Sequence, residues 1–249
     1  MEGDATQRLS RVIRLVGTEA TEAITSVRVA IFGIGGVGSW AAEALVRTGV
    51  RRMLLVDADT VAESNINRQL PATELTVGLP KVDVLRSRLL DIAPDAEIEV
   101  RRERYTAQNA GEFALDDFDY VIDAIDSLAD KAQLILHATS TRTRLFSSMG
   151  AAMKIDPQRI AVAEFWKVKG CPLAAALRRR FKKSGEMPRR KFKCVYSDEL
   201  LPNLGPNVDT SGAMSFDKVA FNGALCHITA IFGMTLASLV IRDRIAKAD

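Results

Sequence analysis

A short apolar run that ends in closely spaced glycines constrains the fold of this chain more than any other sequence feature. Residues 28–38 read RVAIFGIGGVG, and the stretch from residue 39 to residue 48 has the composition of a helix. Gly33, Gly35 and Gly38 fit the G-x-G-x-x-G pattern of a strand, a turn and a helix N-terminus that favours phosphate. Glycines also serve ordinary tight turns, so this pattern alone does not distinguish a nucleotide site from a structural turn.

A second apolar run supports the nucleotide interpretation. Residues 53–56 read MLLV and are followed by Asp57. This carboxylate comes about 20 residues beyond the glycines, where nucleotide-binding folds place the group that binds ribose hydroxyls. Together the two runs predict a mononucleotide site.

Strand-like and helix-like segments alternate through the first 150 residues. Further strands are predicted at 97–101, 120–124 and 145–148, and helices at 81–92, 107–115 and 125–138. This alternation is typical of an α/β protein with a doubly wound, mostly parallel, Rossmann-like sheet and helices on both faces. Its ligand crevice is expected at the carboxyl ends of the strands, where Gly35, Asp57 and Asp126 fall.

The pattern changes after Gly150. Residues 153–155 and 160–165 flank Asp156-Pro157-Gln158 and predict a hairpin that extends the sheet with antiparallel strands. Prolines and glycines mark a loop at 201–215, and a helix is expected over 216–247. We expect a single domain over residues 1–249. Its nucleotide-binding half is 1–150, and 151–249 supplies the sheet extension, a basic segment and the C-terminal helix.

The basic segment concentrates positive charge. Residues 167–193 contain 11 Lys and Arg side chains and one acidic residue, Glu186. The whole chain has 34 basic and 31 acidic side chains, which leaves 23 basic against 30 acidic ones elsewhere. Such a segment attracts polyanions, so nucleic acid is the predicted partner, with a solvated loop as the alternative. Phe181 and Phe192 could stack on bases or anchor the segment to the core.

Composition limits the other classes of protein. Three widely spaced cysteines without a Cys-x-x-Cys pair indicate neither a disulfide framework nor a structural zinc site, and a reducing cytoplasm is the expected localisation. No apolar run precedes Val27, which argues against a secretory signal. The apolar stretch 224–241 contains His227 and is slightly short for a membrane span, so we predict a buried core helix. His137 and His227 are expected to be core residues rather than catalytic bases.

Five motifs occur in order along the first half of the chain: GIGGVG at 33–38, DxDxV at 57–61, SNxNRQ at 64–69, GxPK at 78–81 and DxxD at 123–126. This series resembles the adenylate-forming superfamily of ubiquitin-activating-type enzymes, which includes the adenylyltransferases of molybdopterin and thiamine synthesis. SWAAEAL at 39–45, VIDAIDS at 121–127, PLAA at 172–175 and CVYSxE at 194–199 further resemble the tRNA threonylcarbamoyladenosine dehydratases. With these segments the resemblance extends from about Arg8 to the last helix.

The resemblance implies ATP and Mg²⁺ as cofactors and assigns roles to residues at the predicted edge. The glycines of the turn, Gly33, Gly35, Gly36 and Gly38, would bind the nucleotide. Asp57 would hold the ribose, Asn65 a phosphate oxygen, and Arg68 and Lys81 the triphosphate, where they would stabilise charge on the α-phosphate; Asp126 would coordinate Mg²⁺. Asp59 is a further nucleotide-binding candidate, with a cap or turn residue as the alternative.

The resemblance also implies a homodimer, because an arginine from the N-terminal helix of a second subunit reaches the phosphates in this superfamily. Arg8, Arg11 and Arg14 recur three residues apart on one predicted helix face; Arg11 matches best, with Arg8 or Arg14 as the alternatives.

The implied activity is ATP-dependent dehydration of N6-threonylcarbamoyladenosine in tRNA, through adenylation of the threonyl carboxylate. The alternative is adenylation of the C-terminal glycine of a ubiquitin-like sulfur-carrier protein, and a sulfur-transfer or sulfur-carrier protein is a further candidate partner. A third hypothesis is a non-catalytic dinucleotide-binding regulator. Cys194 is either an acyl acceptor or, more commonly for a lone cysteine, a structural residue.

Overall fold

The computed structural model of the protein describes residues 7–205 and 222–247, and a seven-stranded sheet forms its centre. The strands are β1 (Arg28–Phe32), β2 (Arg52–Val56), β3 (Glu97–Arg101), β4 (Tyr120–Asp123), β5 (Arg144–Ser148), β6 (Ile160–Glu164) and β7 (Lys193–Ser197). Their order across the sheet is β3-β2-β1-β4-β5-β7-β6. All neighbouring pairs are parallel except β6 and β7. We call the end where β1, β2, β4 and β5 finish the carboxyl edge and the opposite end the amino edge.

Helices cover both faces of this sheet. They are α1 (Ser10–Val16), α2 (Thr18–Thr25), α3 (Gly38–Thr48), α4 (Lys81–Ile92), α5 (Leu128–Ser140), α6 (Pro172–Ser184) and α7 (Cys226–Ile245). Because side chains alternate along a strand, Val29 and Ile31 of β1 join the core under α2, α3, α4 and α7. Ala30 and Phe32 join a second core under α5 and α6. The doubly wound, mostly parallel sheet predicted from the sequence is confirmed.

The antiparallel extension of the sheet has a different origin from the predicted hairpin. β6 pairs with β7, more than thirty positions further along the chain, and not with residues 153–155. Residues 153–155 form a loop held by Glu199, whose Oε2 accepts hydrogen bonds from the N–H groups of Ile155 and Asp156 at 2.8 and 3.0 Å. The buried Lys154 ammonium donates to the carbonyl of Glu199. The hairpin prediction was therefore wrong in its pairing but right in predicting an antiparallel addition.

The helix predicted at 107–115 was also wrong. The segment forms two short 3₁₀ turns, Ala110–Glu112 and Leu115–Asp117. Phe113 lies between them, and its ring centroid lies 5.3 Å from that of Phe32. Burial of the Phe113 side chain against the sheet determines the path of this segment. A loop can place that side chain in the core without the regularly spaced apolar residues that a helix needs.

α7 confirms the prediction of a buried C-terminal helix, but the helix begins at Cys226, so residues 222–225 of the predicted range are not helical. Residues 216–221 of that range and residues 206–215 of the predicted loop lie outside the described residues. Ile228, Phe232 and Leu236 are fully buried. None of the helices that the structure describes is long and apolar enough to cross a membrane. His227 differs from its prediction as a core residue: it is exposed, and its Nε2 lies 2.9 Å from the Ile155 carbonyl oxygen. His137 is half-buried, with Nδ1 2.9 Å from the Tyr105 hydroxyl.

Candidate active site

The glycine turn between β1 and α3 has the close backbone approaches that exclude larger side chains. Gly33 has a φ of +91°, and a Cβ there would lie 2.7 Å from the Ala124 carbonyl oxygen. A Cβ on Gly38 would lie 1.9 Å from the carbonyl oxygen of Gly33. α3 begins at Gly38, so its N-terminus faces the carboxyl edge. The turn predicted from the sequence therefore presents the backbone N–H groups that favour phosphate.

Asp57 follows β2 and holds the turn from the side. Its Oδ2 accepts a hydrogen bond from the Ile34 N–H at 2.6 Å, and its Oδ1 accepts one from the Asp59 N–H at 2.9 Å. Burial raises the pKa of the Asp57 carboxyl, and the positive charge of Lys81 opposes that rise. Each carboxylate oxygen keeps a second lone pair, so the group can also accept from ribose hydroxyls.

Lys81 is placed by Asp59. The side chain of this first residue of α4 is buried, and its Nζ donates to Asp59 Oδ2 at 2.7 Å. The backbone N–H of Lys81 also donates to the Asp59 carbonyl at 3.0 Å. Asp59 thus orients the lysine and has more than a turn-forming role, while the ammonium retains two further N–H donors for phosphate oxygens.

Arg68 is fixed at both its backbone and its guanidinium group. Nη1 donates to the Ser64 carbonyl at 2.9 Å and to Asn67 Oδ1 at 2.8 Å, and the Arg68 carbonyl accepts from Trp40 Nε1 at 3.3 Å. Burial lowers the pKa of Arg68, and the negative charge of Asp126 opposes that change. The two predicted site residues are therefore close enough to interact electrostatically, although they come from different loops.

Asn67 contacts a predicted site residue but was not itself among the candidates from the sequence. Besides accepting from Arg68, it donates from Nδ2 to the Ala224 carbonyl at 2.9 Å and so links the Arg68 loop to the segment before α7. Its neighbour Asn65 is buried, and its Oδ1 accepts from the Ala62 N–H at 3.1 Å. The structure gives Asn65 this turn-closing contact beside the phosphate role that the resemblance predicts.

The loop that carries Asp126 is anchored from below by a buried ion pair. Lys131 Nζ lies 2.8 Å from Asp123 Oδ2, and both side chains are fully buried. The same ammonium donates to the Ile125 carbonyl at 2.9 Å, and Asp123 Oδ1 accepts from the Ile125 N–H at 3.1 Å. Ser147 completes the set by donating from Oγ to Asp123 Oδ2 at 2.6 Å. A lysine within the apolar run of α5 was the available sequence evidence for this pair.

Arg11 lies elsewhere in the same chain. It is exposed on α1, one turn from Arg8, whose Nη1 lies 3.5 Å from Asp95 Oδ1 just before β3. This position is near the amino edge, whereas Asp57, Lys81 and Asp126 follow strands at the carboxyl edge. Within one chain the structure does not bring Arg11 to the other predicted site residues.

The cysteines and metal-binding side chains add little to this edge. Cys194 is buried in β7, and burial raises the pKa of its thiol well above the ordinary value, which disfavours the nucleophilic thiolate. In residues 7–205 and 222–247, no group of three or more His, Cys, Asp and Glu side chains could hold a metal ion.

The basic segment is more ordered than a solvated loop. Residues 172–184 form α6, and both aromatic candidates are buried, so they anchor the segment and are not exposed for stacking on bases. The Phe192 ring stacks on Phe165 with centroids 5.0 Å apart. Arg178 and Arg190 are also structural. Arg178 Nη1 donates to two backbone carbonyls, and Arg190 donates to the carbonyls of Ala138, Thr139, Arg142 and Thr143.

These features define a nucleotide-binding α/β protein whose site lies at the carboxyl edge of a Rossmann-like sheet. Its residues 7–242 match the sequence model of the ThiF family, and the chain belongs to that family.

Two relatives and one solved structure are similar over most of the chain. The tRNA threonylcarbamoyladenosine dehydratase of Escherichia coli is 36% identical over 256 residues, covering 97% of this chain and 95% of that protein. The protein of the same name from Bacillus subtilis is 41% identical over 192 residues, covering 77% and 75%. A crystal structure of the E. coli enzyme in complex with ATP matches with a TM-score of 0.86 and 35% identity, over 98% of this chain and 96% of that one.

Proposed function

We propose that this protein catalyses the ATP-dependent dehydration of N6-threonylcarbamoyladenosine in tRNA. The observation that carries the proposal is the nearly end-to-end similarity to an enzyme named for this reaction, which includes the basic half of the chain as well as the nucleotide half. The match to a structure solved with ATP supports ATP as the nucleotide.

The first chemical step follows from the cations at the carboxyl edge. The threonyl carboxylate attacks the α-phosphate of ATP, the bond to the β-phosphate breaks, and pyrophosphate leaves with an acyl adenylate remaining. Arg68 and Lys81 supply preorganised positive charge where charge grows on the phosphate oxygens, which is how proteins accelerate such transfers. Asp57 fixes the ribose, so that the α-phosphate is held between these two cations.

The second step closes a ring. An atom of the neighbouring carbamoyl group attacks the acyl carbon, loses its proton, and AMP leaves with one carboxylate oxygen. The product therefore lacks the elements of one water molecule. Ring closure becomes feasible because AMP is a far better leaving group than hydroxide.

Mg²⁺ is part of the proposal, with Asp126 as its protein ligand. Asp126 is exposed at the carboxyl edge, whereas the nearby Asp123 forms a buried ion pair with Lys131. One carboxylate fits this ion, because Mg²⁺ in nucleotide sites takes its remaining ligands from phosphate oxygens and waters. When bound, the ion neutralises phosphate charge and assists departure of pyrophosphate.

Adenylation of a sulfur-carrier protein is the alternative, and one experiment separates the two substrates. The protein is incubated with ATP, Mg²⁺ and either tRNA carrying the modified nucleoside or a sulfur-carrier protein, and both products are analysed by mass spectrometry. We expect the nucleoside to lose the mass of one water and AMP to form only with tRNA. An adenylated carrier and unchanged tRNA would overturn the proposal. The reaction and its tRNA substrate also support the cytoplasm as the site of action.

The homodimer, with Arg11 donated from one subunit to the other, is supported by the exposure of α1. Within the described part of the chain none of the seven residues of α1 is buried, and Leu15 is 85% exposed. A helix with an exposed leucine and two arginines is suited to contact a second copy, since isolated short helices are marginal in water.

Subunit mixing tests the shared site. Arg11→Ala and Lys81→Ala are each expected to abolish most AMP formation, because each removes a cation from both sites of the dimer. When the two variants are mixed and allowed to exchange subunits, mixed dimers regain one intact site, which combines Arg11 from one subunit with Lys81 from the other. Activity is expected to return to roughly a quarter of the wild-type value, because about half of randomly paired dimers are mixed. A mixture no more active than its components would argue against donation across the dimer.

A further inference from the structure

The eight cations within residues 178–191 of the basic segment fall into two groups. Arg178 and Arg190 donate to backbone carbonyls and serve the fold. Six others are exposed, and none of the six forms an ion pair with an acidic residue that the structure describes. We call these six the cationic ridge: Arg179, Arg180, Lys182, Lys183, Arg189 and Lys191.

Most of the other exposed arginines that have an acidic side chain nearby form an ion pair with it. The ridge therefore differs from an ordinary charged surface. Arg47 and Arg88 both pair with Glu43, and Arg159 pairs with Asp198. Cations in the last turn of a helix are favoured by the helix dipole, which accounts for Lys182 and Lys183. The dipole does not account for the cations beyond the helix end. Six unpaired cations within 13 residues produce a field that favours a polyanion.

A neighbouring cavity is a weaker candidate for the same ligand. It encloses about 720 Å³ at the amino edge, and its lining includes Arg142, Arg144 and Lys247. Acidic groups neutralise these cations: Arg144 and Lys247 pair with Asp243, and Arg142 lies against Asp116. Asp117 and Asp119 also line the cavity. Lys191 also lines the cavity, but the other five ridge residues do not, so most of the unpaired positive charge of the ridge lies outside the cavity.

The position of the ridge determines which part of an RNA can reach it. α6 begins at the carboxyl edge, where a Cβ on Gly170 would lie 2.7 Å from the Asp198 Cβ just after β7. It ends near the amino edge, where Arg190 bonds to the Thr143 carbonyl before β5. A helix of 13 residues is about 20 Å long, so along its axis the ridge begins roughly 10 Å from the carboxyl edge, at Arg179, and continues to the amino edge. This separation corresponds to several base pairs of an A-form RNA stem.

We propose that the cationic ridge binds backbone phosphates of the paired stem that adjoins the reacting nucleotide in tRNA. The proposal rests on tRNA as the substrate of the proposed function and adds the part of the tRNA that is held and the residues that hold it. The reacting nucleotide lies at the carboxyl edge, and the ridge holds the stem at a distance and contributes no group to the chemistry.

Salt dependence of tRNA binding tests the ridge. Arg179 and Lys183 lie opposite the buried face of α6, which is formed by Ala174, Leu177 and Phe181. The Arg179→Gln/Lys183→Gln variant should bind tRNA with a log–log salt slope shallower than wild type by about 1.4–1.8, since each phosphate contact contributes about 0.7–0.9. An Arg47→Gln/Arg86→Gln variant, which removes the same charge from the opposite face of the sheet, should keep the wild-type slope. The KM for ATP should be unchanged in both.

A substrate without a stem tests the distance argument. A short single-stranded oligonucleotide that carries the modified adenosine should react with the same KM in wild type and in the ridge variant, whereas the KM for full tRNA should rise in the variant. Equal salt slopes in the ridge variant and wild type, or an equal loss with the oligonucleotide, would overturn the stem assignment. If the wild-type protein forms no AMP with modified tRNA, the proposed function is overturned instead. The salt slope of tRNA binding needs no turnover, so it would still show whether the ridge binds phosphates.

Discussion

Replacing Asp126 by asparagine is expected to lower the rate of AMP formation by at least about 100-fold, the scale on which loss of one electrostatic group in an active site lowers a rate. Asparagine keeps the shape of the side chain but removes the negative charge that is proposed to bind Mg²⁺ and that interacts electrostatically with Arg68. The residue is exposed in the loop between β4 and α5, so the thermal unfolding midpoint should change little. Single-turnover formation of AMP, with enzyme in excess of modified tRNA, measures the effect directly.

The control for this variant is Asp117→Asn. Asp117 is also exposed and lies near the amino edge, in the 3₁₀ turn before β4, so it should keep the wild-type rate. The apparent affinity for Mg²⁺ separates metal binding from a purely electrostatic effect on Arg68. In Asp126→Asn the residual rate should require a higher Mg²⁺ concentration than wild type. An unchanged rate of AMP formation would remove Asp126 from the site.

Secondary structure was predicted best where the local pattern of residues and the tertiary environment favour the same structure. The helix predicted at 81–92 matches α4 at both ends, because a turn signal precedes it and its apolar residues face the core. β3 also has the predicted bounds. Both segments are short, regular and bounded by turn residues, so local chemistry suffices to define them.

Prediction failed where a strand pairs with segments that are distant in sequence, or where charged residues obscure the apolar positions of a helix. α6 was missed because its apolar positions, Ala174, Leu177 and Phe181, stand among five cations that dominate its composition. β7 was missed because it completes the sheet between β5 and β6, and neither neighbour identifies it locally. Pairing of this kind is determined by tertiary contacts rather than by propensity.

The residues of the candidate site also divide into those that a local motif identifies and those that only tertiary contacts identify. Gly33, Asp57 and Lys81 could be predicted as site residues because each stands at a strand end or helix start in a motif with a physical role. Asn67, which contacts Arg68, and Lys131, which anchors the loop that carries Asp126, have roles that depend on side-chain contacts across loops. Such contacts become visible only once the chain has folded.

Lys131→Met should be the most destabilising of the substitutions considered. It is expected to lower the free energy of unfolding by about 3–5 kcal/mol, the cost of leaving one member of a buried ion pair without its partner. Asp123 would keep its hydrogen bonds from Ser147 and Ile125 but lose the only ammonium in contact with it among the described residues. Urea unfolding followed by circular dichroism measures the change, and Lys182→Met, at an exposed position of α6, should change stability by less than about 0.5 kcal/mol.

A double variant distinguishes an unpaired charge from a simple loss of packing. Asp123→Asn combined with Lys131→Met removes both charges, so it should be more stable than Lys131→Met alone, because the penalty for an uncompensated buried carboxylate disappears. Additive destabilisation by the two substitutions would mean that the pair is not coupled. The double variant should still form AMP more slowly than wild type, since Lys131 also holds the Ile125 carbonyl and with it the loop that carries Asp126. If the double variant recovers stability but still forms AMP more slowly than wild type, Lys131 has a positioning role in addition to its structural one.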